Sequence, residues 1–87
     1  MSEQIVERAL VNRVKALGGI PFKFTSPGRR SVPDRLCLLP EGRVIFVELK
    51  APGKRPTELQ AREHDRLRAL GFDVRVIDSK EAVNDLT

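Results

Sequence analysis

The sequence predicts an α/β fold, a mixed β-sheet flanked by helices in the order αβββαβ with a possible final helix. Three observations predict it: a helix-periodic stretch at the start, three short apolar stretches after it, and a second helical stretch before a fourth apolar one. A strand, a helix and a second strand in succession favour a parallel, right-handed crossover. We expect one domain over residues 1–87, since 87 residues suffice for a single core.

The first element is an amphipathic helix over residues 2–17. Its apolar residues recur at three- and four-residue spacing, and Gly18-Gly19 ends the pattern. Those apolar residues are Val6, Leu10, Val14 and Leu17.

Three strands follow the first helix. Ile20, Phe22 and Phe24 alternate with polar residues, as in a half-buried strand, before a basic loop over residues 26–31. The second strand, residues 35–39, is joined by the turn sequence Pro-Glu-Gly to the third, residues 44–49. The third strand is apolar on both faces, which predicts a central position in the sheet.

The second half of the chain predicts a helix, a strand and a short helix. Thr57 begins a helix that ends at Gly71, and its apolar residues Leu59, Leu67 and Leu70 are expected to cover the sheet. Residues 72–77 form the fourth strand. Ser79 is placed to cap the last helix.

Composition excludes several classes of protein. No apolar run approaches the roughly 20 residues of a membrane span, and the charged N-terminus lacks a signal-peptide pattern, so we expect a protein of the cytoplasm. Cys37 is the sole cysteine and His64 the sole histidine, so any metal must take oxygen ligands. We expect Cys37 in the core and His64 on the surface. The net charge of +4 favours an anionic partner, though only weakly.

The third strand carries an anomaly that points to chemistry. Glu48 and Lys50 end the most apolar strand of the chain, where charged side chains are rare. Because strand side chains alternate, both project from the same face. Asp34 precedes the second strand, and hairpin pairing would bring it beside Glu48. Two such carboxylates repel unless a cation lies between them, and Mg²⁺ suits the site. With Lys50 beside a phosphate, this arrangement predicts phosphodiester hydrolysis.

These residues also carry a family resemblance. Pro33-Asp34 and Glu48-Leu49-Lys50 resemble the PD...ExK signature of the restriction-endonuclease-like nucleases. The whole chain is similar to a stand-alone virus-type replication-repair nuclease (VRR-NUC) domain, through a helical glutamate, residues 32–34, residues 47–53, Gln60 and residues 70–74. One departure is Ser31, where the family often has glycine.

The resemblance implies a restriction-endonuclease-like fold and a DNA endonuclease dependent on Mg²⁺, with Mn²⁺ able to substitute. It also implies a role in replication, repair or recombination, and a homodimer acting on branched DNA such as Holliday junctions. The main alternative is a non-catalytic DNA-binding or assembly module that kept the fold. A purely structural protein would leave the charges of the buried strand without a use.

Two members of the expected site have alternatives. Glu3 lies within about 20° of Leu10 on the helix wheel and Glu7 about 40° farther round, so geometry favours Glu3 as the helical carboxylate. The resemblance agrees, and Glu7 remains the alternative. Gln60 either closes a capping box with Thr57 or reaches the site, as the resemblance implies.

The predicted site therefore has three groups of residues. The catalytic set is Glu3, Asp34, Glu48, Lys50 and Gln60. The metal ligands are Glu3, Asp34, Glu48 and the Leu49 carbonyl. Five basic residues flank the site, where phosphate contacts would position DNA, with ordinary surface solubility as the alternative. They are Arg29, Arg30, Arg35, Lys54 and Arg55.

Overall fold

A four-stranded sheet lies between helices in the computed structural model of the chain, which describes residues 2–86. The predicted α/β fold and element order are confirmed, including the final helix. The elements are α1 (Glu3–Ala16), β1 (Ile20–Lys23), β2 (Arg35–Leu39), a 3₁₀ turn (Pro40–Gly42), β3 (Arg43–Leu49), α2 (Glu58–Ala69), β4 (Asp73–Ile77) and α3 (Lys80–Asn84).

The sheet is mixed and has the strand order β1-β2-β3-β4. β2 pairs antiparallel with both β1 and β3, as the Pro-Glu-Gly turn predicts for a hairpin, and Arg35 lies opposite Val47. β3 and β4 are parallel, with α2 as the connection. The apolar third strand occupies an inner position, as predicted, because inner strands are covered on both faces.

The core lies between α1, α3 and one face of the sheet. The Ser2 side chain caps α1 by accepting from the Ile5 backbone N–H, and the predicted apolar face is fully buried at Val6, Leu10 and Val14. Each such side chain contributes roughly 1.5–3 kcal/mol. Their neighbours in the core include Cys37, Ile45, Val47, Leu49, Ile77, Val83 and Leu86, so the prediction that Cys37 is a core residue is confirmed.

Gly19 permits the close approach of α1 and β2. A Cβ atom at this position would collide with the backbone oxygen of Leu38, and would lie 2.8 Å from a Leu39 methyl group and 3.1 Å from Val14. Only glycine fits between the end of α1 and the sheet. The connection that starts β1 therefore depends on this residue.

The apolar faces of β1 and α2 differ from the predictions. Pro21 faces the core, while Ile20 and Phe22 are 52% and 50% exposed, because α1 covers the opposite face of the edge strand. Leu59 and Leu70 are 64% and 74% exposed and do not cover the sheet. On the face of the sheet opposite α1, Phe46 packs instead against Phe24 and Phe72. The ring centroids are 5.7 Å apart in each pair.

The helices within residues 2–86 are each too short or too polar to cross a membrane.

Candidate active site

The site is built where β3 ends beside the start of β2. The pairing of β2 with β3 ends with Arg35 opposite Val47, and Asp34 and Glu48 are the next residues along the two chains. The Asp34 Oδ2 atom accepts a hydrogen bond of 2.8 Å from the Leu49 backbone N–H. This bond fixes the Asp34 carboxylate against the end of β3, as the hairpin argument expected.

Glu48 is a buried carboxyl held from three sides. Its side chain is 2% exposed, and its Oε2 atom accepts from Gln60 Nε2 at 3.2 Å. The Lys50 ammonium lies 3.7 Å from the same oxygen, and His64 Nε2 lies 3.4 Å from Oε1. Both carboxyl oxygens are thus oriented, by Lys50 directly after β3 and by two side chains of α2.

Electrostatics confirm that Glu48 and Asp34 lie close together. The pKa of Glu48 is raised from 4.5 to about 7, mainly by burial and then by the Asp34 charge and a hydrogen bond with Asp34. The Lys50 charge lowers that pKa, and Glu3 makes the smallest contribution, raising it. The positive charge of Lys50 therefore does not offset the effects of burial and of Asp34 on this carboxyl. Perturbed groups of this kind concentrate at functional sites.

His64 is buried, contrary to the expectation of a surface residue. It is 1% exposed and is the buried residue of α2, and burial lowers the pKa of its imidazole. The charged residues on both sides of His64 in the sequence suggested an exposed position. The signal was its spacing, since Gln60, His64 and Leu67 recur at four- and three-residue intervals and share one face of the helix.

Gln60 acts as a helix cap and also contacts the site. Its Oε1 atom accepts from the Thr57 backbone N–H at 2.9 Å, and Thr57 Oγ1 accepts in return from the Gln60 backbone N–H at 3.2 Å. The amide nitrogen at the other end of the same group donates to Glu48. Gln60 can therefore both cap the helix and contact the site, because the oxygen of its amide accepts one hydrogen bond and the nitrogen donates the other.

The two candidate glutamates of α1 have different surroundings. Glu7 Oε2 pairs with the Arg35 guanidinium at 2.9 Å, and this ion pair links α1 to β2. Glu3 is exposed in the first turn of α1, and its charge is felt at Glu48. This arrangement agrees with the choice of Glu3, whose role as a ligand stays a prediction.

Comparison with known proteins gives the same result as the geometry. A protein described as "Putative nuclease p44", from Acyrthosiphon pisum secondary endosymbiont phage 1, is 58% identical over 79 residues, covering 91% of this chain and 85% of that protein. A solved structure described as "VRR_NUC domain" has a TM-score of 0.91 and 39% identity, covering 97% of this chain and 91% of the other. The chain belongs to the VRR-NUC nuclease family. No family model matches it.

The basic residues of this VRR-NUC domain divide into two groups. Arg30, Lys54 and Arg55 are exposed on loops, as phosphate contacts require. Arg35 is different, because its side chain is 11% exposed, pairs with Glu7 and donates to the Pro21 carbonyl at 2.8 Å. The expectation that Arg35 contacts DNA is therefore corrected: its guanidinium braces α1 against the sheet. Arg29 pairs with Glu63 at 2.9 Å.

The donor set of the VRR-NUC site suits a hard divalent cation. Within residues 2–86, no three His, Cys, Asp or Glu side chains come together as a metal-binding group, so Glu3 does not complete a set of three carboxylates with Asp34 and Glu48. Mg²⁺ does not require one, since it commonly binds through one or two carboxylates and keeps several waters. Asp34 and Glu48 supply two adjacent carboxylates, and after burial the repulsion between them is the next largest cause of the raised pKa of Glu48. A cation would relieve that repulsion, so the residues present fit the metal.

Proposed function

We propose that the protein is a Mg²⁺-dependent endodeoxyribonuclease that hydrolyses phosphodiester bonds in branched DNA, such as Holliday junctions, during replication, repair or recombination. The observation that carries this proposal is the convergence of Asp34, Glu48 and Lys50 at one end of the β2–β3 hairpin. Two carboxylates with an ammonium beside them provide for metal binding and for phosphate charge in one place.

Each side chain of the site has a distinct part in this proposal. Asp34 and Glu48 would hold the cation, with Glu3 and the Leu49 carbonyl as further oxygen ligands. When bound, Mg²⁺ or Mn²⁺ stabilises charge on the phosphoryl group and lowers the pKa of water. Lys50 holds the phosphate or orients the attacking water, because its ammonium lies beside Glu48. Gln60 and His64 fix the two oxygens of Glu48.

A panel of DNA substrates tests the proposal. The purified protein is incubated with labelled four-way junction, flap, duplex and single-stranded DNA in Mg²⁺, Mn²⁺ or EDTA. We expect metal-dependent cleavage of the junction, abolished by Asp34→Asn and retained by Glu81→Gln, a control with the same loss of charge on α3. DNA binding without cleavage in any metal would instead support the alternative of a non-catalytic binding module.

We also propose that the active form is a symmetric homodimer. A domain of this size buries limited apolar surface by itself. Ile20 and Phe22 lie half-exposed on the edge strand β1, which gives a second copy an apolar surface to cover. Closed twofold symmetry is the commonest oligomeric arrangement, and two sites would permit paired incisions in a junction. Sedimentation tests this: a monomer at micromolar concentration with DNA bound would contradict it.

The compartment we propose is the cytoplasm of a bacterial or phage-infected cell, where such a DNA substrate lies.

A further inference from the structure

A basic groove of about 430 Å³ runs beside the candidate active site, between the loop at residues 28–31 and α2. Arg29 and Arg30 lie on the loop side, and Arg62 and Arg66 lie on the helix side. Glu63 is the acidic residue of its lining. Four guanidiniums against one carboxylate give the lining of the groove an excess of positive charge.

The ion pair between Arg29 and Glu63 connects the two walls. Arg29 Nη2 donates to Glu63 Oε1 at 2.9 Å, and Arg29 Nε lies 3.1 and 3.2 Å from the two oxygens. Because this contact is bidentate, it holds the loop against α2 with a defined geometry. It also neutralises the one carboxylate that would repel an anion. Arg29 thus braces the groove instead of offering a donor to a ligand.

The remaining arginines are available to bind an anion. Arg30 and Arg66 are exposed, and neither forms an ion pair with any residue from 2 to 86. Arg62 is 70% exposed and pairs with Glu58, itself 82% exposed. Such a surface pair contributes only about 0–1 kcal/mol, so a ligand can displace it. Three guanidinium groups therefore face the groove.

Both walls of the groove continue directly into the active site. Ser31 precedes Asp34 by three residues, which span at most about 11 Å. On α2, the groove residues Leu59 and Glu63 are each followed by a residue that contacts Glu48, namely Gln60 and His64. A polyanion that follows the groove would therefore continue toward the carboxylates of Asp34 and Glu48.

We propose that this groove binds the DNA backbone phosphates next to the scissile one, through Arg30, Arg62 and Arg66, with the Arg29–Glu63 pair as its brace. Guanidinium forks match phosphate oxygens, and their repetition along a groove suits a repeating anion better than a single one. The inference rests on the proposed nuclease function. It assigns Arg62 and Arg66 to substrate binding, and it gives Arg29 a positioning role.

Salt-dependent DNA binding by the full chain tests the groove. Binding to labelled four-way junction DNA is measured in EDTA from about 50 to 200 mM salt for wild type and for Arg62→Gln/Arg66→Gln. We expect the double variant to reduce the slope of log K against log salt by about two, since each lost phosphate contact removes about 0.9. The control is Arg8→Gln/Lys15→Gln, two exposed residues of α1 that lose the same charge and should keep the wild-type slope.

Steady-state cleavage supplies a second readout. The double variant should raise KM for DNA with little change in kcat, because the groove positions DNA without touching the reacting atoms. If the double variant had the same salt-dependence slope and the same KM as wild type, the proposal that the groove binds DNA would be wrong. The nuclease assignment would remain. A wild-type protein that neither binds nor cleaves DNA would overturn both. Undiminished DNA binding together with weakened binding of a polyglutamate peptide would assign the groove to an acidic protein instead.

Discussion

Replacing Glu48 by glutamine should stabilise the metal-free protein at alkaline pH. The folded protein raises the pKa of Glu48 from 4.5 to about 7. Below pH 4.5 the carboxyl is protonated in both the folded and the unfolded chain, so it makes no pH-dependent contribution. Between these values the unfolded chain releases its proton first, and folding becomes less favourable as the pH rises.

The magnitude follows from the size of the pKa shift. At 1.36 kcal/mol per pKa unit, a rise from 4.5 to about 7 costs about 3 kcal/mol of the free energy of unfolding above pH 7. Glutamine removes this cost because it is neutral at every pH. It also keeps an oxygen that can accept from Gln60 and an amide that can donate to His64 Nε2.

Urea denaturation in EDTA at several pH values measures the effect. The stability difference between Glu48→Gln and wild type should be near zero at pH 4 and reach up to about 3 kcal/mol at pH 8. Glu81→Gln, on the exposed surface of α3, should show no comparable gain. A Glu48→Gln variant less stable than wild type at pH 8, or a difference independent of pH, would refute the assigned electrostatics.

Three further predictions concern His64, Gly19 and Cys37. His64→Leu should weaken Mn²⁺ binding about 10- to 100-fold in calorimetry, because Glu48 loses the group that orients it, while His64→Gln should retain most of the affinity. Gly19→Ala should destabilise the fold by about 1–3 kcal/mol in urea denaturation, because the methyl group meets the Leu38 backbone. Cys37 should resist thiol reagents at pH 8, because burial raises its pKa to about 11, and should react fully in denaturant.

Each of these predictions has a result that would contradict it. Wild-type Mn²⁺ affinity in a folded His64→Leu variant would reduce His64 to a packing residue. For Gly19 the control is Gly28→Ala, which has open space around the added methyl group and should be near neutral. Equal stability of the two alanine variants would show that the space around Gly19 is not as restricted as the structure indicates. Rapid labelling of native Cys37 would mean that β2 opens to solvent.

The sequence predicted the elements that have a strong internal pattern. Spacing and the closing glycines located α1, and unbroken apolar residues placed β3 inside the sheet. Hairpin geometry then brought Asp34 to Glu48, because the register of a hairpin is set by its turn and by the apolar pattern of its two strands. These parts of the fold and the site needed no knowledge of tertiary packing.

The residues whose surroundings were predicted wrongly are those whose burial or partners depend on which element packs over them. Ile20 and Phe22 alternate as core residues do, yet α1 packs on the other face of β1. His64 is surrounded in sequence by charged neighbours, and its burial follows from the position of α2 over Glu48. Arg35 is basic and near the site, but its partner Glu7 lies 28 positions away in the chain. Local sequence carries little information on such contacts.

Cleavage of a labelled four-way junction in Mg²⁺ tests the central claim most directly, with wild type and Glu48→Gln compared in Mg²⁺ and in EDTA. The account predicts cleavage by wild type in Mg²⁺ alone, and none by Glu48→Gln, although that variant is folded and more stable at pH 8. Cleavage by wild type in EDTA, or by Glu48→Gln at the wild-type rate, would contradict a metal-dependent site at Asp34 and Glu48.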